Sequence, residues 1–295
     1  MFKLKIRKDI AQEVAGYWTD HNVTLHKQFA SRKESLDYFH WRCDQYSGYL
    51  DLMPVKGFDG KDILDYGCGP GHDLVGFLEY SKPKNLVGAD VSNSSLQEAE
   101  ARLALHDGDA DLVLLDPDKV QLPFADQSFD YIHSSGVLHH LPNLTQTLNE
   151  FRRILRPGGL CRVMVYNYNS IFLHLYVAYS LRLKQKTIPT NLPIRQAFAH
   201  STDGPDCPIS NCYTPEEFGE EAAKAGFTCR LLGAAYSELE RQTLATDRYA
   251  AFMDQRFERE HREFLLALTF DETGRALYHG IPAGVDLVLE LTLKG

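Results

Sequence analysis

Three glycines and two aspartates lie within residues 63–73, ILDYGCGPGHD, directly after an apolar run. The glycines are Gly67, Gly69 and Gly71. Without Cβ atoms the backbone can turn tightly there, and a ligand can approach the main chain. Asp65 and Asp73 flank the glycines, and two carboxylates would repel a phosphate and attract a cation. The loop is therefore predicted to bind the positively charged end of a ligand.

A third acid narrows the choice of ligand. Asp90 ends the next predicted strand, 19 residues after Gly71, where an acid of an open α/β sheet can accept both hydroxyls of a ribose. The glycine spacing is G-x-G-x-G, with His72 where the dinucleotide fingerprint has its last glycine. A nucleoside with a cationic tail satisfies both observations, and S-adenosyl-L-methionine (SAM) is such a molecule. An NAD-dependent dehydrogenase is disfavoured by the missing glycine.

The elements that must position these residues alternate along the chain. Nearly continuous apolar strands separated by helices indicate a parallel sheet covered on both faces. Five such strands are predicted, at 62–67, 85–91, 111–116, 128–135 and 160–167. A further strand, TCRLLGAA, is predicted after the helix that begins at Thr214, and the tail adds a helix near 238–260 and two strand candidates, EFLLALTF and DLVLELTL. Some of these strands are expected to pair antiparallel at the sheet edge. The fold class is α/β, a Rossmann-like, doubly wound and mostly parallel seven-stranded sheet.

Four segments in order resemble the successive motifs of class I SAM-dependent methyltransferases of the small-molecule group (type 11). They are ILDYGCGPG, VGADVS, LPFADQSFDYIHSSGVLHHL and EFRRILRPGGLCRVMVYN, in register over 61–167, and YTPEEFGEEAAKAGF continues the resemblance. This resemblance implies that SAM is the cofactor and S-adenosyl-L-homocysteine the product. It also implies a methyltransferase domain at 57–295, with a substrate-side insertion at about 168–213 and an irregular C-terminal tail.

The resemblance assigns cofactor-binding roles position by position. Asp65, Gly67 and Gly69 would hold the methionine part of SAM, Asp90 the ribose and Val91 the adenine ring. Asp118 would bind the adenine amino group, and Asp116 is close enough to compete for this role. Ser135 and Gly136 would line the floor beneath the methyl group. Residues 1–56, rich in aromatic side chains, would form a helical cap, with Tyr17, Trp18 and His21 as lid candidates.

Candidate acceptor-side residues follow the fourth and fifth strands and occupy the insertion. His139 and His140 could take a proton from a hydroxyl or amine, or could be structural, and His139 is preferred of the two. Tyr166, Asn167 and Asn169 could contact a polar acceptor, although the asparagines could equally bond their own turn. His200 and Asp203 lie in a predicted long loop, 188–213, and Asp203 is a second candidate base.

Composition limits the partners. The net charge of −9 argues against bulk attraction of nucleic acid. The six cysteines are scattered without C-x-x-C spacing, so no metal is expected, and no apolar run reaches the length of a membrane span. We expect a cytoplasmic O-methyltransferase of a sugar or secondary metabolite, as a monomer or homodimer. N- or C-methylation, an RNA methyltransferase and a non-catalytic SAM-binding protein are the alternatives.

Overall fold

The computed structural model describes residues 2–22 and 24–294. Its centre is a sheet of eight strands: β1 (Tyr46–Ser47), β2 (Asp62–Tyr66), β3 (Asn85–Asp90), β4 (Asp111–Leu114), β5 (Phe129–Ser135), β6 (Leu155–Tyr166), β7 (Phe227–Ser237) and β11 (Asp286–Leu293). Their order across the sheet is β1-β7-β11-β6-β5-β2-β3-β4. A separate antiparallel sheet holds β8 (Leu268–Phe270), β9 (Ala276–Tyr278) and β10 (Ile281–Pro282).

The predicted Rossmann-like sheet is confirmed, with two differences. Strands β2 to β6 pair in parallel, so their carboxyl ends meet at one edge. The first difference is the short strand β1, which pairs with β7 and brings the count to eight rather than seven. The second is β11, which lies between β6 and β7 and runs antiparallel to both, rather than at the sheet edge. Its side chains from Leu287 to Leu289 are at most 1% exposed, as expected for an interior strand.

Helices cover both faces of the sheet. They are α1 (Phe2–Asp20), α2 (Arg32–Asp44), α3 (Tyr49–Leu52), α4 (His72–Tyr80), α5 (Asn93–Leu103), α6 (Leu144–Ile154), α7 (Ile194–Thr202), α8 (Pro215–Lys224), α9 (Glu238–Met253) and α10 (Arg259–Ala267), with a π-helix at Phe172–Gln185. The N-terminal segment is helical, as predicted. Thr214 and Glu217 form a capping box that begins α8. No helix within the described ranges has both the length and the apolar character to cross a bilayer.

Two predicted elements were wrong. The strand candidate EFLLALTF is mostly the end of α10, because its buried residues His261, Phe264, Leu265 and Leu268 recur at helical spacing. The predicted loop 188–213 contains α7, which begins after Pro193 and buries Ala197 and Phe198 on one face. The insertion is thus a π-helix and a second helix joined by shorter loops.

The N-terminal helices are fixed to the sheet domain by polar contacts as well as packing. At the end of α1, the Thr19 carbonyl accepts a hydrogen bond from the Ser94 hydroxyl at 2.6 Å. The Asn22 amide donates to Glu98 of α5 at 2.7 Å. On α2, Phe39 is fully buried against Gly76 of α4, where an added Cβ would lie 2.8 Å from the ring. These contacts hold α1 and α2 over the carboxyl edge of the sheet.

Candidate active site

A cleft opens at the carboxyl edge of the sheet and extends from β3 across β2, β5 and β6 to the first residue of β11. Thirteen of the residues singled out in the sequence line it: Trp18, Asp65, Gly67, Gly69, His72, Asp73, Asp90, Val91, Ser135, Gly136, His140, Tyr166 and Asp203. Because β11 is antiparallel to β6, its first residue, Asp286, reaches the same edge. The cleft therefore has one end over β2 and β3 and another over β6 and β11.

The glycine loop presents bare backbone to the cleft. Gly67 has a φ of 76°, and a Cβ there would lie 2.2 Å from Cγ2 of Val137, so no larger residue fits. Gly69 has nothing within 4 Å of its Cβ position and faces open space in the cleft. Gly71, in contrast, does not line the cleft but faces α5, where an added Cβ would lie 3.2 Å from the Cβ of Ala99. Gly71 lets α4 and α5 approach, a different role from the expected ligand contact.

Asp90 is held in one orientation by backbone amides. Its two carboxylate oxygens accept hydrogen bonds from the N–H of Gly69, at 2.9 Å, and of Ser92, at 2.8 Å. Burial raises the pKa of this carboxyl, and the amide bonds oppose the rise. Each oxygen can accept a further hydrogen bond, as binding of ribose hydroxyls requires, and Asp90 lines the cleft.

Below the loop lies a buried network that the sequence analysis missed in part. The Tyr49 hydroxyl lies 3.0 Å from Asp73, to which it donates, and 2.8 Å from the Ser135 hydroxyl. His133 Nε2 lies 3.2 Å from the Asp73 carboxylate. Burial raises the pKa of Asp73, but the His133 hydrogen bond and charge outweigh burial and hold it below its usual range. Tyr49 and His133 are distant from Asp73 in sequence, and a histidine within the apolar strand FDYIHSS was the one available signal.

Asp65 lies beside this network and differs from Asp73 in charge. Its side chain is 2% exposed, and burial raises its pKa to about 7, with His133 opposing. A carboxyl of this kind ionises readily when a cation arrives, since the cation replaces the lost water. Asp65 and the ionised Asp73 thus make the β2 end of the cleft suitable for a positively charged group.

At the β6 end, His140 faces Asp203 across a short gap. His140 Nδ1 lies 2.6 Å from the carbonyl oxygen of Ile209, and because a carbonyl only accepts, Nδ1 carries the proton. The lone pair is therefore on Nε2, which lies 4.0 Å from Asp203. Burial lowers the pKa of His140, and the Asp203 charge opposes this. Asp203 itself accepts hydrogen bonds from the hydroxyls of Tyr166, at 2.9 Å, and Ser210, at 2.7 Å.

His139, the histidine preferred in the sequence analysis, has a different environment. Its ring is completely buried, stacks on Tyr166 at 3.9 Å and has no hydrogen bond at either nitrogen among the described residues. It does not line the cleft. The geometry favours His140 over His139 as the group that can accept a proton from a ligand.

The N-terminal helix α1 contributes one aromatic side chain to the lining of the cleft and one hydrogen bond to the segment that carries Asp203. Trp18 lines the cleft, with its ring 4.7 Å from that of His140. Tyr17 does not line the cleft, but its hydroxyl donates to the backbone carbonyl of Asp203 and so joins α1 to the insertion. His21 is exposed and stacks on Tyr17 at 4.3 Å, away from the cleft.

Four other predicted site residues are not brought to the cleft. Asp118 is exposed, and its backbone N–H donates to the Asp116 carboxylate at 3.0 Å. The Asn167 amide donates to the carbonyls of Gly284, at 2.8 Å, and Asn169, at 3.1 Å. Asn167 therefore bonds within its own turn, which was the alternative to a contact with the acceptor. His200 is exposed near the end of α7.

One group of metal-ligand types was found among the described residues, namely His140, Asp203 and Cys207. Its atoms already have protein partners. The Cys207 thiol donates to the Ile209 carbonyl at 3.3 Å, the same oxygen that His140 uses. Hydrogen bonds are therefore sufficient to account for the arrangement.

The fold and the cleft define a class of protein that binds a nucleoside with a cationic tail at the carboxyl edge of a Rossmann-like sheet. Comparison with known proteins agrees with that class. Residues 64–163 match the family model described as "Methyltransferase domain". The 27-O-demethylrifamycin SV methyltransferase of Amycolatopsis mediterranei is 27% identical over 49% of this chain and 47% of its own length. Methyltransferase GfsG of Streptomyces halstedii is 30% identical over 50% and 56%.

A solved structure shows the same fold. The S-adenosylmethionine dependent methyltransferase of Mesorhizobium loti gives a TM-score of 0.50 at 18% identity, over 84% of this chain and 98% of that one. This chain spans about half the length of the two relatives above. Residues 64–163 thus form a methyltransferase domain, and the fold and the relatives agree with a class I SAM-dependent methyltransferase, for which SAM is the cofactor.

Proposed function

We propose that this protein transfers the methyl group of SAM to an oxygen atom of a small-molecule acceptor, with His140 as the general base. The observation that carries the proposal is the tautomer of His140. Its Nδ1–H is committed to the Ile209 carbonyl, so the lone pair on Nε2 is available in the cleft beside Asp203. A hydroxyl placed there can lose its proton to Nε2.

The residues of the β2 and β3 end fit SAM. The bare backbone at Gly69 admits close approach of a ligand, Asp90 offers fixed acceptors for the ribose, and Asp65 with Asp73 favours the ammonium and sulfonium charges. Bound SAM supplies a methyl carbon activated by a positively charged sulfur. The apolar side chains of Val91 and Leu115 line the cleft beside Asp90 and suit the adenine ring.

The chain's own contribution to the reaction is proton acceptance, orientation and exclusion of water. Asp203 would stabilise the protonated form of His140, and it is itself held by Tyr166 and Ser210. Orientation of two reactants is worth up to ~7–11 kcal/mol of the barrier. We infer that α1 acts as a lid, because Trp18 packs on His140 and Tyr17 bonds the loop that carries Asp203.

The acceptor is proposed to be a sugar or secondary metabolite rather than a nucleic acid. The chain's net charge is −9, and carboxyls outnumber basic side chains along the cleft. One relative is named for O-demethylated rifamycin as its substrate, which is in keeping with oxygen as the methylated atom. A non-catalytic SAM-binding protein is the competing function.

Calorimetry and labelled transfer test the proposal together. SAM and S-adenosylhomocysteine should bind, whereas NAD should not, and tight NAD binding would overturn the cofactor assignment. Methyl-labelled SAM is then offered with a panel of hydroxyl, amine and carbon acceptors. Label appearing on oxygen supports the proposal. Label on nitrogen or carbon contradicts O-methylation, and SAM binding without transfer to any acceptor favours the non-catalytic alternative.

A further inference from the structure

Asp286 is a buried acid at the end of the cleft opposite the SAM-binding residues. It begins β11 and lies opposite Tyr166 of β6 in the antiparallel register. Strands β6, β5 and β2 separate β11 from β3, which carries Asp90. Asp286 lines the same cleft as His140, and the sequence analysis gave it no role.

The Asp286 carboxyl, like that of Asp65 near the other end of the cleft, receives no hydrogen bond from the part of the chain that the structure describes, whereas Asp90 and Asp73 are both hydrogen-bonded. Its residue is 3% exposed, and no hydrogen bond or ion pair reaches the carboxyl from the part of the chain that the structure describes. Asp90 is held by two amides, and Asp73 by Tyr49 and His133. A buried polar group without a partner costs about 1–3 kcal/mol, a cost that a ligand in the cleft can remove.

The surroundings of Asp286 set the chemistry that it can offer. Burial and the charge of Glu240 raise its pKa to about 8, and Arg42 opposes them. Glu240 is committed elsewhere, because it accepts from Ser237, from the N–H of Phe172 at 3.0 Å and from that of Val285 at 3.2 Å. A carboxyl that keeps its proton near neutral pH both donates and accepts, as an alcohol does.

An ammonium group suits this end of the cleft less well than a hydroxyl. The Arg42 guanidinium lines the same cleft and acts on Asp286, so a second cation would be repelled. Tyr46 also lines the cleft, close enough for the Asp286 charge to be the largest influence on its pKa, which rises to about 12. Its hydroxyl provides a further neutral donor and acceptor.

We propose that Asp286 binds a hydroxyl group of the acceptor, so that the acceptor is a polyhydroxylated, sugar-like molecule with one hydroxyl at His140 and another at Asp286. The inference rests on the proposed function and adds the acceptor class to it. Tyr166 connects the two positions, since its hydroxyl binds Asp203 and its backbone pairs with Asp286.

The test compares Asp286→Leu and Asp286→Asn with wild type on a panel of methyl glycosides and their amino-sugar counterparts, using methyl-labelled SAM. Asp109→Leu, at an exposed acid outside the cleft, is the matched control. We expect transfer to a methyl glycoside and a rise in its KM of about 10–100-fold in Asp286→Leu, with kcat little changed. Asp286→Asn should keep most of the acceptor affinity, because an amide also donates and accepts.

The other possible results contradict hydroxyl binding by Asp286, the acceptor class or the proposed function, and they can be told apart. An unchanged KM in Asp286→Leu, or transfer to amino sugars that Asp286→Asn abolishes, contradicts hydroxyl binding by Asp286. SAM binding by calorimetry without transfer to any glycoside overturns the acceptor class while leaving the SAM site in place. Failure of the wild-type protein to bind SAM is instead a failure of the proposed function. SAM affinity equal to wild type in both variants verifies that they are folded.

Discussion

The carboxylate of Asp90 accepts a hydrogen bond from the backbone N–H of Gly69 at 2.9 Å. The acid expected at the ribose and the glycine expected at the methionine part are thus one unit, although 21 residues separate them. The bond fixes the glycine loop and orients the carboxylate before any ligand is bound. Such preorganisation lowers the ordering cost of binding.

Removing the Asp90 carboxylate should therefore weaken SAM binding strongly. In Asp90→Ala both the ribose contacts and the support of the loop are lost, and hydrogen bonds to charged groups are worth about 1.5–3 kcal/mol each. We expect the Kd for SAM to rise by about 100-fold or more in calorimetry. Asp118→Ala should leave it unchanged, because Asp118 is exposed outside the cleft. A weakened Asp118→Ala would instead restore Asp118 as the adenine contact.

Gly67→Ala should destabilise the fold through overpacking. The new Cβ would lie 2.2 Å from Val137 Cγ2 in a left-handed backbone conformation. We expect a loss of about 2–4 kcal/mol in the free energy of unfolding, measured by urea denaturation. Gly69→Ala has open space and should lose only about 1 kcal/mol from its φ of 51°. If the contact is the cause, Val137→Ala should recover part of the loss; equal stability of Gly67→Ala and wild type would contradict it.

SAM affinity should increase with pH through the ionisation of Asp65. Its pKa is raised to about 7 by burial, so below that pH a bound cation must first displace a proton. Affinity should fall by up to about tenfold per pH unit below pH 7. The comparison with Asp65→Asn isolates this contribution from the titration of SAM itself. A wild-type profile parallel to that of Asp65→Asn would show that Asp65 does not ionise on binding.

The raised pKa of Asp65 also predicts that the Asp65→Asn variant is more stable than wild type above neutral pH. An acid with a raised folded-state pKa stabilises the fold fully below its unfolded pKa near 4, and this stability is lost as pH rises toward 7. Above pH 7 the buried wild-type carboxylate is therefore destabilising. At about 1.4 kcal/mol per pKa unit, Asp65→Asn should be more stable than wild type by ~2–4 kcal/mol at pH 8 and nearly equal at pH 4. Urea denaturation at the two pH values measures the difference.

Loss of the proposed base should lower turnover without removing the cofactor. For His140→Ala we expect kcat to fall by about 10²–10⁴-fold, with SAM still bound. Because burial lowers the pKa of His140 below 6.5, the wild-type rate should decline only below that pH, and the variant should lack this decline. His21→Ala, which changes an exposed histidine, is the control. An unchanged kcat in His140→Ala would exclude it as the base.

Sequence reasoning located the residues whose neighbours are local and missed those brought together by topology. Asp65, the glycines and Asp90 follow from strand ends and loop spacing, so their common edge was predictable. Tyr49 and His133 meet Asp73 only through the packing of α3 and β5 around α4. Asp286 reaches the cleft only because β11 enters the sheet between β6 and β7, a position that an apolar strand near the end of the chain does not specify. The choice between His139 and His140 depended on the Ile209 carbonyl, 69 residues away.

The interior position of β11 also affects the order in which this chain can fold during synthesis. β6 and β7 leave the ribosome well before Asp286, and until β11 is made their facing backbone groups have no strand between them. Strands β2 to β5 pair with one another and, through β5, with β6, and none of them pairs with β7 or β11. In the nascent protein, the glycine loop and Asp90 should thus reach their folded arrangement early. The facing edges of β6 and β7 should stay unpaired, and prone to wrong strand pairing, until β11 is inserted between them.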